Sequence, residues 1–328
     1  MPDPLLRVQS QLTDRDLVLL GWLADHGVLT SFQVAEALYP SIDYAQERLR
    51  ALTQKLEVVD RFRPQKPDGG SYPYHYVLAQ LGVEVVAAQR GDDLPRRDQA
   101  RRRRWHLTRR ANLPHLLGVN GFFTALAGHT RTHPGSALVR WWPAGRCQQI
   151  GAFAEPDDND ITVRVYQPRS RPDGHGIWVE GDRRVPFFLE YDLGTERPLS
   201  RLVDKIDGYR DLAHVTGRIW PVLFWLHSPA RERHLHQELA ATGTIYPVAT
   251  AVHAEVTGIN PAEAVWWLNR HHGAPMRLAD LPAAGSGAEQ TTLPPPSAEP
   301  RTAAGHARTG GATRTAPPLT RPPRRGER

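Results

Sequence analysis

RPDGHGIWVEGDRRVPFFLEYDLGTERPLSRLVDKIDGYR, residues 171–210, decides how the rest of the chain is read. It opens on a Pro172-Asp173-Gly174 turn and continues through the apolar triplet Ile177, Trp178 and Val179. A Gly181-Asp182 turn leads into a second apolar segment, 185–192, that ends in acids. Its β-branched, aromatic and aliphatic residues predict a strand, with Pro186 near the start, where a missing N–H is tolerated. Side chains alternate across a strand, so Phe188, Glu190 and Asp192 share one face and Phe187, Leu189 and Tyr191 the other. The 177–179 triplet can pair with this strand as a hairpin, which brings Asp173 toward the Glu190 end. Clustered carboxylates repel one another unless a cation or a shared proton relieves them. Asp173, Glu190 and Asp192 then converge, and for an all-oxygen site the expected cation is Mg²⁺. A helix follows, with Thr195 as its cap and Pro198 in its first turn. Arg201, Lys205 and Tyr209 recur on it every four residues and so share a face.

These residues resemble the PD-(D/E)XK restriction-endonuclease-like fold. Pro172-Asp173 matches its first motif, and Glu190-Tyr191-Asp192 stands where that family has (D/E)XK. The lysine position is taken by Asp192. Some members carry the lysine on the following helix, and Lys205 is the candidate here.

Composition bounds the reading. The chain has 328 residues, is 40% hydrophobic and carries a formal charge of +6, enough for two domains and a tail. Arginine supplies nearly all of the positive charge, which favours phosphate contact and makes nucleic acid the leading partner. No apolar run reaches the length of a membrane span, and no signal segment opens the chain, so a cytoplasmic location without a membrane partner is expected. The single cysteine, Cys147, excludes an internal disulfide and a cysteine-rich zinc site, and is expected in the core. There is no GxxxxGK[ST], GxSxG or HExxH motif. His129 and His133 sit at a predicted helix end, His234 and His236 diverge on another helix, and His271-His272 are adjacent. No zinc site is expected from them.

The first ninety residues predict a winged helix-turn-helix. A helix runs from Thr13-Asp14 to the glycine stop at Gly27, after a frayed segment up to residue 12. A second covers 32–38 and a third, the recognition helix, 41–54, with Arg48 and Arg50 on it and Lys55 at its end. Strands at 58–63 and 72–78 flank a basic turn and form the wing. Arg48, Arg50, Lys55, Arg61, Arg63 and Lys66 are the expected DNA contacts. A helix follows at 81–89. Residues 91–110 hold Arg101, Arg102, Arg103 and Arg104, as a linker or as a basic strap against the duplex. Residues 111–275 read as a mixed-sheet α/β domain. In it, a buried helix covers 112–129, strands are expected at 137–142, 161–166, 219–226 and 244–250, a helix at 229–241, and a short helical segment at 263–269. Residues 276–328 read as a disordered Pro/Arg-rich basic tail. The boundaries are therefore 1–90, 91–110, 111–275 and 276–328.

A winged helix, an Arg-rich joint and then RPDG…FFLEYDLGTE…K…Y resemble the replication-relaxation family of actinobacterial chromosomes, plasmids and integrative elements, over roughly residues 10–250. The resemblance implies a role in replication, relaxation or mobilisation of a plasmid or integrative element. It also implies double-stranded or nicked DNA as substrate, and replication or conjugation proteins as partners. There is likeness to conjugative relaxases with endonuclease-like cores as well. By this likeness Asp173 and Glu190 hold Mg²⁺, Asp192 assists, Lys205 stabilises charge, and Tyr209 is either a nucleophile or a core residue. Two readings stay open: a metal-dependent endonuclease or relaxase, and a non-catalytic DNA-binding accessory protein or transcription regulator.

Overall fold

Local capping decides where the helices of the first half begin. The computed structural model describes residues 4–285 apart from 67, 157, 159, 196, 197 and 254–257. Helix α1 is Pro4–Gln9 and α2 is Asp14–His26. The Thr13 side chain accepts from Asp16 N, while the Asp16 carboxylate accepts from Thr13 N at 2.8 Å, a reciprocal capping box. Thr30 and Gln33 repeat the device at the start of α3, Ser31–Leu38, which follows the short strand β1, Leu29–Thr30. Ser41 caps α4, Ile42–Gln54. Strands β2, Val59–Phe62, and β3, His75–Leu78, pair antiparallel in a small sheet of order β1-β3-β2. Three helices and a β-ribbon over a core of Leu19, Leu20, Leu23, Val34, Leu49, Leu52 and Val58 make the winged helix. Helix α5, Gln80–Arg90, closes it.

Two expectations change in this half. The segment expected to fray is helical at α1 and buries Val8 against the core. The Arg-rich stretch contains a helix, α6, Gln99–Thr108, because Ala100 and Leu107 are buried on one side of it. Leu107 packs with Val28 and Val77, so apolar burial orders a segment whose charge suggests a linker.

The second half is a six-stranded mixed sheet between helices. Helix α7, Leu113–Thr132, precedes β4, Ser136–Pro143, and the short helices α8, Ala144–Cys147, and α9, Ile161–Val165. Then come β5, Gly174–Glu180, β6, Arg183–Tyr191, α10, Ser200–Thr216, β7, Val222–Leu226, α11, Pro229–Ala241, β8, Val248–Val252, and β9, Trp267–Leu268. The sheet order is β4-β5-β6-β7-β8-β9. Strands β4 to β6 are antiparallel neighbours, β6 to β8 run parallel through the crossover helices α10 and α11, and β9 is antiparallel to β8. Helix α7 packs on one face with Phe187, Leu189, Leu223 and Trp225. Helices α10 and α11 pack on the other with Phe188, Val222 and Phe224. This is the layered arrangement of a restriction-endonuclease-like α/β domain.

Three further expectations are corrected. Residues 161–165 are helical, not extended: Asp160 accepts from Thr162 N at 2.7 Å, and only Val163 of the five is buried, so no sheet face claims the alternating side chains. The 263–269 segment is not helical; Trp267 and Leu268 pair with Thr250 and Ala249. The ordered chain also runs past residue 275. Leu278, Ala279 and Leu281 are buried beside Trp266, and Ala284 bridges Ile219. Apolar residues that sparse leave no periodic trace in the sequence. The tail proper, 286–328, lies outside the described residues.

Helix α7 is apolar around most of its circumference because it packs on both sides. Gln33 of α3 donates to Leu117 O at 2.7 Å, and Asn120 donates to Val28 O at 2.7 Å. Trp141 of β4 stacks on His26 at 3.6 Å between centroids and on Phe123 of α7 at 5.1 Å. The winged helix and the sheet thus share one packed seam with α7 along it.

Candidate active site

The β5–β6 hairpin turns at Gly181-Asp182, with Glu180 paired to Arg183 and Gly174 to Leu189. Continuing that register one step places Asp173 opposite Glu190. Two main-chain links fix the step: Asp173 N donates to Leu189 O at 2.9 Å, and Tyr191 N donates to the Asp173 carboxylate at 2.8 Å. The hairpin therefore brings together two acids seventeen positions apart, at the sheet end where pairing changes from antiparallel to parallel.

Glu190 is buried, and its side chain turns to the α10 face. Lys205 Nζ lies 2.9 Å from Glu190 Oε2, and the Tyr209 hydroxyl donates to Glu190 Oε1. Four-residue spacing on α10 places both groups on the one carboxylate. Burial pushes the Glu190 carboxyl up to about 7; the Lys205 ammonium pulls it back and the nearby Asp173 charge adds to the rise. Burial, and next the Glu190 charge, push the Tyr209 phenol well above its ordinary value. Tyr209 has no solvent exposure.

Asp192 takes a different partner. It lies just past β6, and Arg231 in the first turn of α11 forks onto both its oxygens, with Nη2 to Oδ1 at 2.9 Å. Arg201 is exposed on the first turn of α10. On the α7 side, His115 Nε2 sits 3.2 Å from Asp173 Oδ2 and 3.0 Å from the Tyr191 carbonyl. The Asp173 hydrogen bond, ahead of burial that acts against it, raises the His115 pKa. Neither His115 nor Arg231 is among the residues singled out from sequence. Both occupy the first turn of a helix, where the macrodipole disfavours a cation.

A cleft of about 830 Å³ opens onto Asp173. Arg103, His106, Arg110, His115 and Arg171 line it, giving a basic approach to Asp173. The Arg-rich helix divides its side chains. Arg103 turns inward to Ala24 O, Arg104 pairs with Asp60, Arg102 pairs with Asp98 one turn back, and Arg101 is exposed. On the winged helix, Arg48 is bound by the buried Asp16 and by Gln11 O, so it braces α4 against α2. Arg50, Arg61 and Arg63 instead line a cleft of about 270 Å³ between α4 and the wing. Arg61 and Arg63 lie over the Tyr74 ring at 4.2 and 4.9 Å, and Lys66 over Tyr72 at 5.5 Å. Lys55 is exposed at the C-cap of α4.

The ligand chemistry of the two ends of α7 differs. At the N-terminal end the groups are oxygens: Asp173 Oδ2 and the Tyr191 carbonyl gather at His115 Nε2, and the Asp173 charge adds to the rise of the Glu190 pKa. Among the described residues, the group of three His, Cys, Asp or Glu side chains with ligand atoms all within 4.8 Å of one another is His129, His133 and Glu263, which could hold a divalent metal. Fourteen residues separate His115 from His129, about 21 Å along a helix. Among the described residues, no helix is long and apolar enough to cross a membrane.

A family model described as Replication-relaxation matches residues 20–223, from within α2 through the start of β7. The matched span contains the winged helix from the middle of α2 onward and the Asp173–Tyr209 site. No curated protein and no solved structure matches the chain.

Proposed function

This chain belongs to the replication-relaxation family, and from that premise we propose a cytoplasmic DNA-binding protein of plasmid or integrative-element replication and mobilisation whose sheet domain nicks DNA with a divalent metal. One observation carries the reading: Lys205 reaches the Glu190 carboxylate at 2.9 Å on the strand end that faces Asp173. A lysine supplied from α10 stands in for the one that Asp192 displaces from the strand.

Asp173 and Glu190, with the Tyr191 carbonyl, would hold Mg²⁺, which when bound supplies Lewis acidity toward a phosphodiester. Lys205 balances the Glu190 charge and offers an ammonium to the attacked phosphate. Tyr209 positions Glu190 through its hydroxyl. A phenol with no exposure and a raised pKa has no route to DNA, so we assign the attack to water, not to Tyr209. His115 Nε2 holds the Asp173 carboxylate and the Tyr191 carbonyl in place. Arg231 neutralises Asp192, which leaves Asp192 a positioning role at the end of β6. Arg103, Arg110 and Arg171 draw the phosphate backbone into the cleft. Arg50, Arg61, Arg63 and Lys66 hold duplex on the winged helix, with Lys55 and Arg101 as outer contacts.

A second reading is a DNA-binding accessory protein or regulator with an inactive sheet domain. It is favoured by the engagement of both Glu190 oxygens by protein donors. A supercoiled plasmid carrying the element's own origin separates the two. Nicking is expected with Mg²⁺ or Mn²⁺, and its loss is expected in Asp173→Ala with DNA binding retained. Intact binding without nicking by the wild type, across metals and origins, selects the second reading.

A further inference from the structure

His129 and His133 lie one turn apart at the C-terminal end of α7, with their rings stacked at 3.6 Å between centroids. Glu263 comes to them from the segment before β9, where Asn260 bonds to Ala125 O of the same helix at 2.9 Å. His129 is buried, yet neither of its ring nitrogens has a hydrogen-bond partner among the described residues. Nε2 has none, and Nδ1 is 3.7 Å from Glu263 Oε1, beyond hydrogen-bond length. Two ligands of one tetrahedral metal stand roughly 3.3 Å apart, so a small closure brings this pair onto a shared ion. The other Glu263 oxygen is held by Arg277 at 2.8 Å, which fixes the carboxylate and leaves Oε1 facing His129. His133 Nδ1 is occupied by Thr132 Oγ1 at 2.9 Å and His129 O at 3.1 Å, which leaves Nε2 as its ligand atom. His133 is exposed, so its ring can tilt out of the stack and an ion can enter from solvent.

We propose that His129, His133 and Glu263 form a binding site for a borderline divalent transition metal of the Zn²⁺ class, with a fourth position open to water. Two imidazoles and one carboxylate select such an ion over Mg²⁺ or Ca²⁺, which take oxygen ligands. The site joins the C-terminal end of α7 to the chain segment between β8 and β9. It is independent of the carboxylates at the other end of the helix, so its failure and that of the nicking reading are separate results.

Zn²⁺ and Co²⁺ titrations of the untagged full chain test the proposal. One equivalent of Zn²⁺ is expected to bind, Co²⁺ is expected to give a visible d–d band, and a hundredfold excess of Zn²⁺ over Kd is expected to raise Tm by about 5 °C. His133→Ala, at an exposed position that leaves the fold intact, is expected to lower affinity at least tenfold, and Glu263→Gln likewise. A His271→Ala/His272→Ala double variant controls for surface histidines and is expected to bind as the wild type does. No stoichiometric binding by the wild type, or equal binding by wild type and His133→Ala, overturns the site.

Discussion

The two ends of α7 use histidine for opposite purposes. At the N-terminal end, His115 faces oxygens: one carboxylate oxygen of Asp173 and the Tyr191 carbonyl. Its pKa is raised, and it behaves as a donor that gathers acceptors. At the C-terminal end, His129 is buried with its pKa lowered, beside a second imidazole and a single carboxylate. The same side chain thus sits among oxygens that raise its pKa at one end and in a buried pair that lowers it at the other. What differs is the balance of desolvation against nearby negative charge.

The largest test of this contrast is at the oxygen-rich end. Lys205→Met and Glu190→Gln are each expected to lower Mg²⁺-dependent plasmid nicking by about 10²-fold or more, whereas His133→Ala leaves it unchanged. Loss of nicking in His133→Ala breaks the separation of the two ends.

The glycines along α7 sharpen it. A Cβ at Gly128 would stand 2.7 Å from the Glu36 carbonyl, which is backbone and cannot swing aside. Gly128→Ala is expected to cost about 1–3 kcal/mol in urea unfolding. A Cβ at Gly118 overlaps the Tyr191 ring. Gly118→Ala should cost a similar amount and also reduce nicking, because the proposed metal site takes the Tyr191 carbonyl as a ligand. Full nicking by a folded Gly118→Ala removes that carbonyl from the site.

Between the ends, the seam is acid-sensitive. His26, stacked on Trp141, has its pKa driven down to about 3 by burial, as has His175 within the sheet. A depressed folded pKa means that the unfolded chain binds more protons between about 6.5 and 3. Stability is therefore lost as pH falls through that window, on the order of 2 kcal/mol per histidine at pH 5. His26→Phe should flatten part of the slope in denaturant melts at pH 7 and pH 5. An unchanged slope excludes His26 as a source.

The smallest effect is on DNA. Arg50→Ala should weaken binding several-fold and reduce the magnitude of the salt slope by about 1. Arg48→Ala should leave the slope unchanged and lower stability, because Arg48 is spent on the buried Asp16. Equal slopes for the two variants erase the distinction between these arginines of α4.

Much of the site was legible because it is local. The Gly181-Asp182 turn sets the hairpin register, and the register alone puts Asp173 opposite Glu190. Four-residue spacing on α10 likewise puts Lys205 and Tyr209 on one face, where both meet Glu190. Alternation gave Asp192 the same face as Glu190, but it could not reveal Arg231, which arrives from the next crossover. His115 and Glu263 were illegible for the same reason. Their partners stand 58 and 134 residues away, His115 from Asp173 and Glu263 from His129. The Arg-rich helix α6 and the ordered residues 276–284 were masked by composition, since two or three buried side chains suffice to order a short segment.

What this sequence determined by itself is whatever turn geometry and helical or strand period fix within a few dozen residues: the capping boxes, the wing, the hairpin and its paired acids. What only the tertiary structure decided is which distant cation answers each carboxylate, and in which direction each histidine's pKa moves. Those outcomes depend on burial and on charges brought close by packing, and Coulombic and desolvation energies follow distance in space, not separation along the chain.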